Sequence, residues 1–229
     1  MDVEKKALNE ILDQLKSKAC LKQKAFKNII DVFASLKQEA EGIALQLNDK
    51  IQEVDKSVEV ELSEKNEFEF HVKVGSDVLI FTLTTNIVTF KNEYAVMQSE
   101  YVQEKEERKY FGQILVYNFM ADSLKYDRLD DPGYLIARVL INHENHFYVE
   151  GVDQLNFLFS DITNNIISKE WLRLVIEKCI SAAIDMDLIG ANYPDIKITT
   201  LKQKMKDEKP MGEGQKLGFQ MKSMGQIKG

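Results

Sequence analysis

The first 55 residues contain no proline and a single glycine, Gly42, and are rich in Lys, Glu, Gln, Ala and Leu. These are good helix formers with nothing among them to break a helix, so helix is the only regular element the stretch can adopt. From Phe26 onward the apolar positions Phe26, Ile30, Phe33, Leu36, Ala40, Ile43, Leu47, Ile51 and Val54 recur at steps of three and four. Such a narrow stripe predicts a seam for another helix. An earlier stripe, Leu8, Ile11, Leu12 and Leu15, gives way over Lys16 to Lys24 to a basic segment with few large apolar side chains. The whole stretch therefore reads as one long helix or as a helical hairpin that turns back there.

At Val58 the period drops to two. Val58, Val60 and Leu62 alternate with Glu59 and Glu61, and Phe68, Phe70, Val72 and Val74 with Glu67, Glu69, His71 and Lys73, as strands with one wet face do. Gly75-Ser76, followed by the apolar run Val78 to Leu83, predicts a tight hairpin, because glycine adopts the positive φ of the first turn position. Ile87 to Phe90 continues or follows that strand, and Tyr94 to Val102 fits a helix face and a strand alike. The mixed charges of Glu104 to Lys109 suit a solvated loop or strand end. Ile114 to Met120, nearly all apolar, predicts a central strand buried on both faces.

The acidic stretch Asp122 to Asp131 ends in the turn pair Pro132-Gly133. A second hairpin follows, Tyr134 to Ile141 and His146 to Glu150, turning at Asn142 to Asn145. Ser168 is placed as an N-cap, with Glu170 in the first turn of a helix whose apolar face holds Trp171, Leu174, Val175, Cys179, Ala182 and Met186. That helix is expected to stop near Gly190, before Pro194. Gln154 to Ile167 is apolar enough to pack without showing a period, and after Lys209 a Gly, Lys and Met mixture predicts a flexible or partner-ordered tail.

These pieces describe an α+β protein. The expected layout is a helical arm over residues 1–55, a domain over residues 56–194 and a basic tail over residues 195–229. The domain holds an antiparallel sheet of about five to seven strands and a following amphipathic helix. In element order alone, a meander closed by a helix resembles sheet-based chaperone-like proteins that bind peptides; no residue motif accompanies that resemblance, and no activity is carried over from it.

The chain carries a net charge of −7 with a pI near 5.2, which disfavours general phosphate binding. The charge is uneven: from Lys197 onward eight lysines face Asp207, Glu208 and Glu213, so this end is +5 and the remainder −12. Lys202, Lys204, Lys206, Lys209 and Lys216 are thus candidate contacts to an acidic partner, and any nucleic-acid contact is expected only there. Met1 to Lys6 lacks the apolar stretch of a secretory signal, and no apolar run approaches the roughly 20 residues of a membrane span. A cytoplasmic protein without membrane contact is expected. Cys20 and Cys179 are far apart, belong to no CxxC pair and read as ordinary reduced thiols.

Catalytic candidates are Arg138 and His143, whose spacing resembles the R-x4-H motif of HEPN-family ribonucleases. That resemblance implies His143 as acid or base on an RNA 2′-hydroxyl and Arg138 as phosphate stabiliser. In that family the motif lies on a helix, whereas strand alternation here sets Arg138 opposite Glu150 as a cross-strand ion pair. His143, Glu144 and His146 carry metal-ligand chemistry but also suit a polar hairpin tip. Asp122, Asp127, Asp130 and Asp131 suit magnesium or, before Pro-Gly, turn chemistry. Gly212, Gly214 and Gly218 miss the dinucleotide spacing by one residue, and neither a cofactor nor a metal is expected.

The leading expectation is a non-enzymatic assembly or adaptor protein. It would pair with another protein or a second copy through Phe26, Ile30, Phe33, Leu36, Ile43 and Leu47, as in a coiled coil, while the basic tail docks on an acidic surface. The stripe could equally be buried against the chain's own sheet. The rival class is an RNA- or nucleotide-processing enzyme using Arg138, His143 and the Asp cluster, which requires those groups to converge in space.

Overall fold

A computed structural model describes residues 2–152, 154–187 and 192–202. It opens with a helix that does not turn back: α1 (Asp2–Gln14) runs through a π-helical turn, Leu15–Ala19, into α2 (Cys20–Gln52). At about 1.5 Å per residue this rod is roughly 75 Å long. The basic segment contains neither glycine nor proline, and the helix passes through it without a break. The segment hosts a π-turn, in which the Cys20 N–H donates to the Leu15 carbonyl. One turn earlier the Ser17 hydroxyl donates to the Asp13 carbonyl at 2.8 Å, competing with the regular backbone ladder.

The strands form one six-stranded antiparallel meander in sequence order: β1 (Val60–Asn66), β2 (Glu69–Val74), β3 (Asp77–Val88), β4 (Phe111–Met120), β5 (Tyr134–Ile141) and β6 (Phe147–Gly151). The β2–β3 turn is Gly75-Ser76, with Gly75 at φ 59°, the left-handed value that favours glycine. Arg138 pairs with Glu150 across β5 and β6, as alternation requires. Three short helices lie between or after the strands: α3 (Glu100–Glu104), α4 (Ala121–Lys125) and α5 (Gln154–Leu158). The chain then forms α6 (Lys169–Ile184) and α7 (Tyr193–Ile196). The Ser168 side chain accepts the Trp171 N–H and so caps α6. That helix ends at Ile184, short of the expected stop; Gly190 lies outside the described residues.

Helices α2 and α6 lie together on one face of the sheet and seal the main core. Phe70 of β2 sits between Phe33 of α2, at 5.2 Å between ring centroids, and Phe81 of β3, at 4.7 Å. Close approach of α2 to β4 depends on Gly112, over which Ile29 lies. On the opposite face, α3 and its flanking 3-10 turns press Val96, Met97, Tyr101 and Val102 onto Phe111, Leu140, Tyr148 and Ile162.

That cover reaches only part of the sheet, which corrects the reading of β4 as buried on both faces. Ile114 and Val116 are buried, whereas Leu115, Tyr117 and Phe119 on the other face are only half-buried. Glu104 to Glu107 are exposed, as a solvated segment requires, but the stretch forms the end of α3 and a 3-10 turn, and Arg108 within it is buried. The segment after α5 buries Phe159 and Ile162. It also closes the outer edge of β6: the Phe147 and Val149 N–H groups donate to the Asn165 and Phe159 carbonyls.

Candidate functional site

The predicted seam on α2 is turned inward. Phe33, Leu36 and Ile43 are buried in the domain's own core, Phe26 packs against it half-buried, and Ile30 and Leu47 stand at its margin. The face that packs is rotated toward Ala25, Ile29 and Val32, positions the stripe did not include. Phe33, Leu36 and Ile43 are therefore not available to a partner helix while the domain is folded, and reading them as an external interface is corrected on that ground. The sheet supplies an apolar surface wide enough to take the stripe, and a helix satisfies its apolar face against whichever such surface is adjacent.

The earlier stripe has the opposite fate. Every residue from Lys6 to Cys20 is exposed, and the helix first touches the body at Leu21 and Ala25. Leu8 is 66% exposed, Ile11 54%, Leu12 46% and Leu15 52%. Their spacing of three, four and seven puts them on one helix face. Beyond them, Leu15, Ala19, Cys20, Gln23, Lys24 and Lys27 border an open groove. Gln23, Lys24 and Lys27 are exposed while Ala25 and Ile29 are buried, so the groove lies on the side of the helix away from the sheet. This arm is a projecting amphipathic helix whose apolar face touches nothing else in the described fold. The sequence held a partial signal for it in the basic stretch Lys16 to Lys24, which has few large apolar side chains.

The catalytic candidates do not converge. Arg138 Nε donates to Glu150, and its guanidinium lies against the rings of Phe90 and Tyr94, whose hydroxyl also contacts Glu150. His143 sits in the β5–β6 turn, with Nε2 4.0 Å from Glu107 and from Glu144. Asp131 is bound to Arg128 at 2.7 Å and to the Ser123 hydroxyl at 2.5 Å, in a knot of buried side chains that folds the acidic connection. Asp127 takes a left-handed φ of 48°, the turn role expected of such a residue. Among the described residues no group of three or more His, Cys, Asp or Glu stands close enough to hold a metal ion.

The polar cluster at the hairpin tip is a clasp, which sequence reasoning missed because Arg108 lay in a charge run. Tyr101 Oη donates to Glu144 Oε2 at 2.7 Å, Arg108 Nε donates to the same oxygen at 2.8 Å, and Asn142 Nδ2 donates to Tyr101 Oη at 3.0 Å. The Arg108 guanidinium lies 4.0 Å from the Tyr101 ring centroid on α3, and His146 stacks on that ring at 4.1 Å while its Nδ1 bonds the Ile162 carbonyl. Burial, then the bond to Glu144, pushes the Tyr101 hydroxyl up to about 12. Burial works to raise Glu144, but the hydrogen bonds from Tyr101 and Arg108 outweigh it and hold the carboxyl below its ordinary value. The Tyr101 hydroxyl, Arg108 Nε and Asn142 Nδ2 are all spent on these bonds, so the cluster fastens the α3 segment to the β5–β6 turn.

Lys202 is exposed; Lys204, Lys206, Lys209 and Lys216 lie outside the described residues. Among the described residues no helix is long and apolar enough to cross a membrane. Compared with protein-family models, curated proteins and solved structures, the chain finds no match in any of the three.

Proposed function

We propose that the chain is a non-enzymatic assembly or adaptor protein whose contact element is the projecting arm, with the basic tail as a second, electrostatic contact to an acidic surface. The observation that carries this reading is the exposure of Leu8, Ile11, Leu12 and Leu15 along one face of a helix that has left its domain. A helix of that length without a packed face is marginal in water, so an apolar stripe on it gains most by covering itself with another helix. The net charge of +5 from Lys197 onward supports the tail's part. Cytoplasmic location belongs to the same reading, since Cys20 is an exposed free thiol on the arm.

The test is the double substitution Leu8→Glu and Leu15→Glu in the full chain. Both sites are far from the core, so the melting temperature should hold while association, read as mass by light scattering, is lost. Unchanged association with an intact fold would remove the arm as the contact element.

A further inference from the structure

We infer that the helix covering the arm is the arm of a second copy of this chain, paired antiparallel; the inference rests on the reading of the arm as an assembly element. Charge selects both the occupant and its direction. Residues 2–13 carry Asp2, Glu4, Glu10 and Asp13 against Lys5 and Lys6, whereas residues 16–27 carry Lys16, Lys18, Lys22, Lys24 and Lys27 and no acid. A parallel pair would set the basic turns of one copy against those of the other, and like charges on facing helices repel. An antiparallel pair sets an acidic end along a basic end twice over.

Shape points to the same arrangement. The shallow, open groove bordered by Leu15, Ala19, Gln23 and Lys27 starts at Leu15, the last residue of the apolar stripe, and the small Ala19 within it leaves room for a larger side chain from a second arm. With Leu12 of one copy against Leu15 of the other, Leu8 comes opposite Ala19 and enters the groove. The two-fold axis repeats the contact with the roles exchanged, which closes the assembly at two copies. In this register Glu10 lies opposite Ser17, between Lys16 and Lys18. The two Cys20 residues stand about 20 Å apart along the axis, from the rise of 1.5 Å per residue.

The experiment uses the full chain in three readings. Sedimentation velocity from about 1 to about 100 μM should show a concentration-dependent passage from monomer to dimer. A short bis-maleimide, with a reach near the about 8–10 Å between paired helix axes, should leave the wild-type dimer uncoupled, because Cys20 is far from its counterpart and Cys179 is buried. Zero-length carbodiimide coupling of mixed heavy-nitrogen-labelled and unlabelled protein should give links between copies from Glu10 to Lys16 or Lys18. Efficient coupling of Cys20 to Cys20 would establish a parallel pair and overturn the inference. A chain monomeric at every concentration would overturn it too. Should that monomeric chain still lose a different bound protein on Leu8→Glu and Leu15→Glu, the assembly reading stands without the self-pairing; should it bind nothing in either form, both fall.

Discussion

Ile29 of α2 lies directly over Gly112 of β4: a Cβ added to Gly112 would come within 2.5 Å of Ile29 Cδ1 and 2.9 Å of Ile29 Cβ. The contact fixes how closely the long helix approaches the sheet. Gly112→Ala must push the helix off or force Ile29 from its rotamer, and overpacking of this kind costs about 1–3 kcal/mol. A lowered denaturant midpoint with an unchanged slope is the expected result, and Ile29→Val combined with Gly112→Ala should recover part of it. An unchanged midpoint for Gly112→Ala would mean that the helix does not cross the sheet at this glycine.

Phe33→Asp and Ile43→Asp distinguish a core stripe from an interface. Both side chains are almost fully buried, at 3% and 2% exposure. An aspartate in either place loses the apolar contacts and brings an unpaired carboxylate into the core, a loss of about 3 kcal/mol or more. Each substitution should therefore lower the melting temperature steeply. Loss of association at an unchanged melting temperature would restore the reading of these residues as an external seam.

How much could be read from the chain follows from which interactions are local. The hairpin at Gly75, the cap at Ser168 and the pairing of Arg138 with Glu150 depend on residues near one another in sequence, and period and turn chemistry suffice to place them. The destination of the α2 stripe is set by a sheet that begins after the helix ends, and helical periodicity shows only that one face is apolar. Arg108 was hidden for a similar reason: its partner Glu144 is 36 residues away, so its neighbours in sequence made it look solvated. The arm left only a partial signal in its charges: Lys16 and Lys18 suit an exposed helix, but the basic stretch allowed a helical hairpin equally well, and its end at Leu21 and Lys22 already meets the body, with Lys22 over the Tyr110 ring.

The clasp at Glu144 predicts a pH dependence. Its carboxyl titrates below the ordinary 4.5 in the folded protein, so its contribution is fully present above that value and disappears as pH falls through the folded pKa. Glu144→Gln should destabilise by about 1.5–3 kcal/mol at neutral pH, the range for hydrogen bonds to a charged group. The gap between the two proteins should close as the solution is acidified below the ordinary carboxylate range. A gap of constant size from neutral to acid pH would show that the carboxylate charge contributes nothing.

Arg138→Ala tests the structural role of the residue against the catalytic one. The half-buried guanidinium closes an ion pair with Glu150 and stacks on Phe90 and Tyr94, so its removal should cost about 1–2 kcal/mol and loosen the segment before α3. Arg138→Lys should recover part of the stability. His143→Ala, whose imidazole shares no partner with Arg138, should show no coupling to it in a double-mutant cycle. A shared loss of ribonuclease activity in both variants, with the fold intact, would favour the enzymatic class.

Self-pairing of the arm predicts a salt dependence whose sign depends on direction. In the antiparallel pair the opposed charges attract across exposed flanks, and such attractions fade once the Debye length falls from about 30 Å at 0.01 M to about 3 Å at 1 M salt. Dimerisation should weaken as salt is added, by severalfold across that range; a parallel pair, with basic turns facing each other, should strengthen instead. Lys16→Glu and Lys18→Glu together should weaken the dimer at low salt by placing acids beside Glu10 of the other copy, and the deficit should shrink at high salt. Both lysines are exposed and lie before the helix reaches the body, so the melting temperature of the domain should not move. If the double substitution leaves dimerisation unchanged at low salt, the lysines do not face the acidic end of the second arm, and the antiparallel register loses its electrostatic basis.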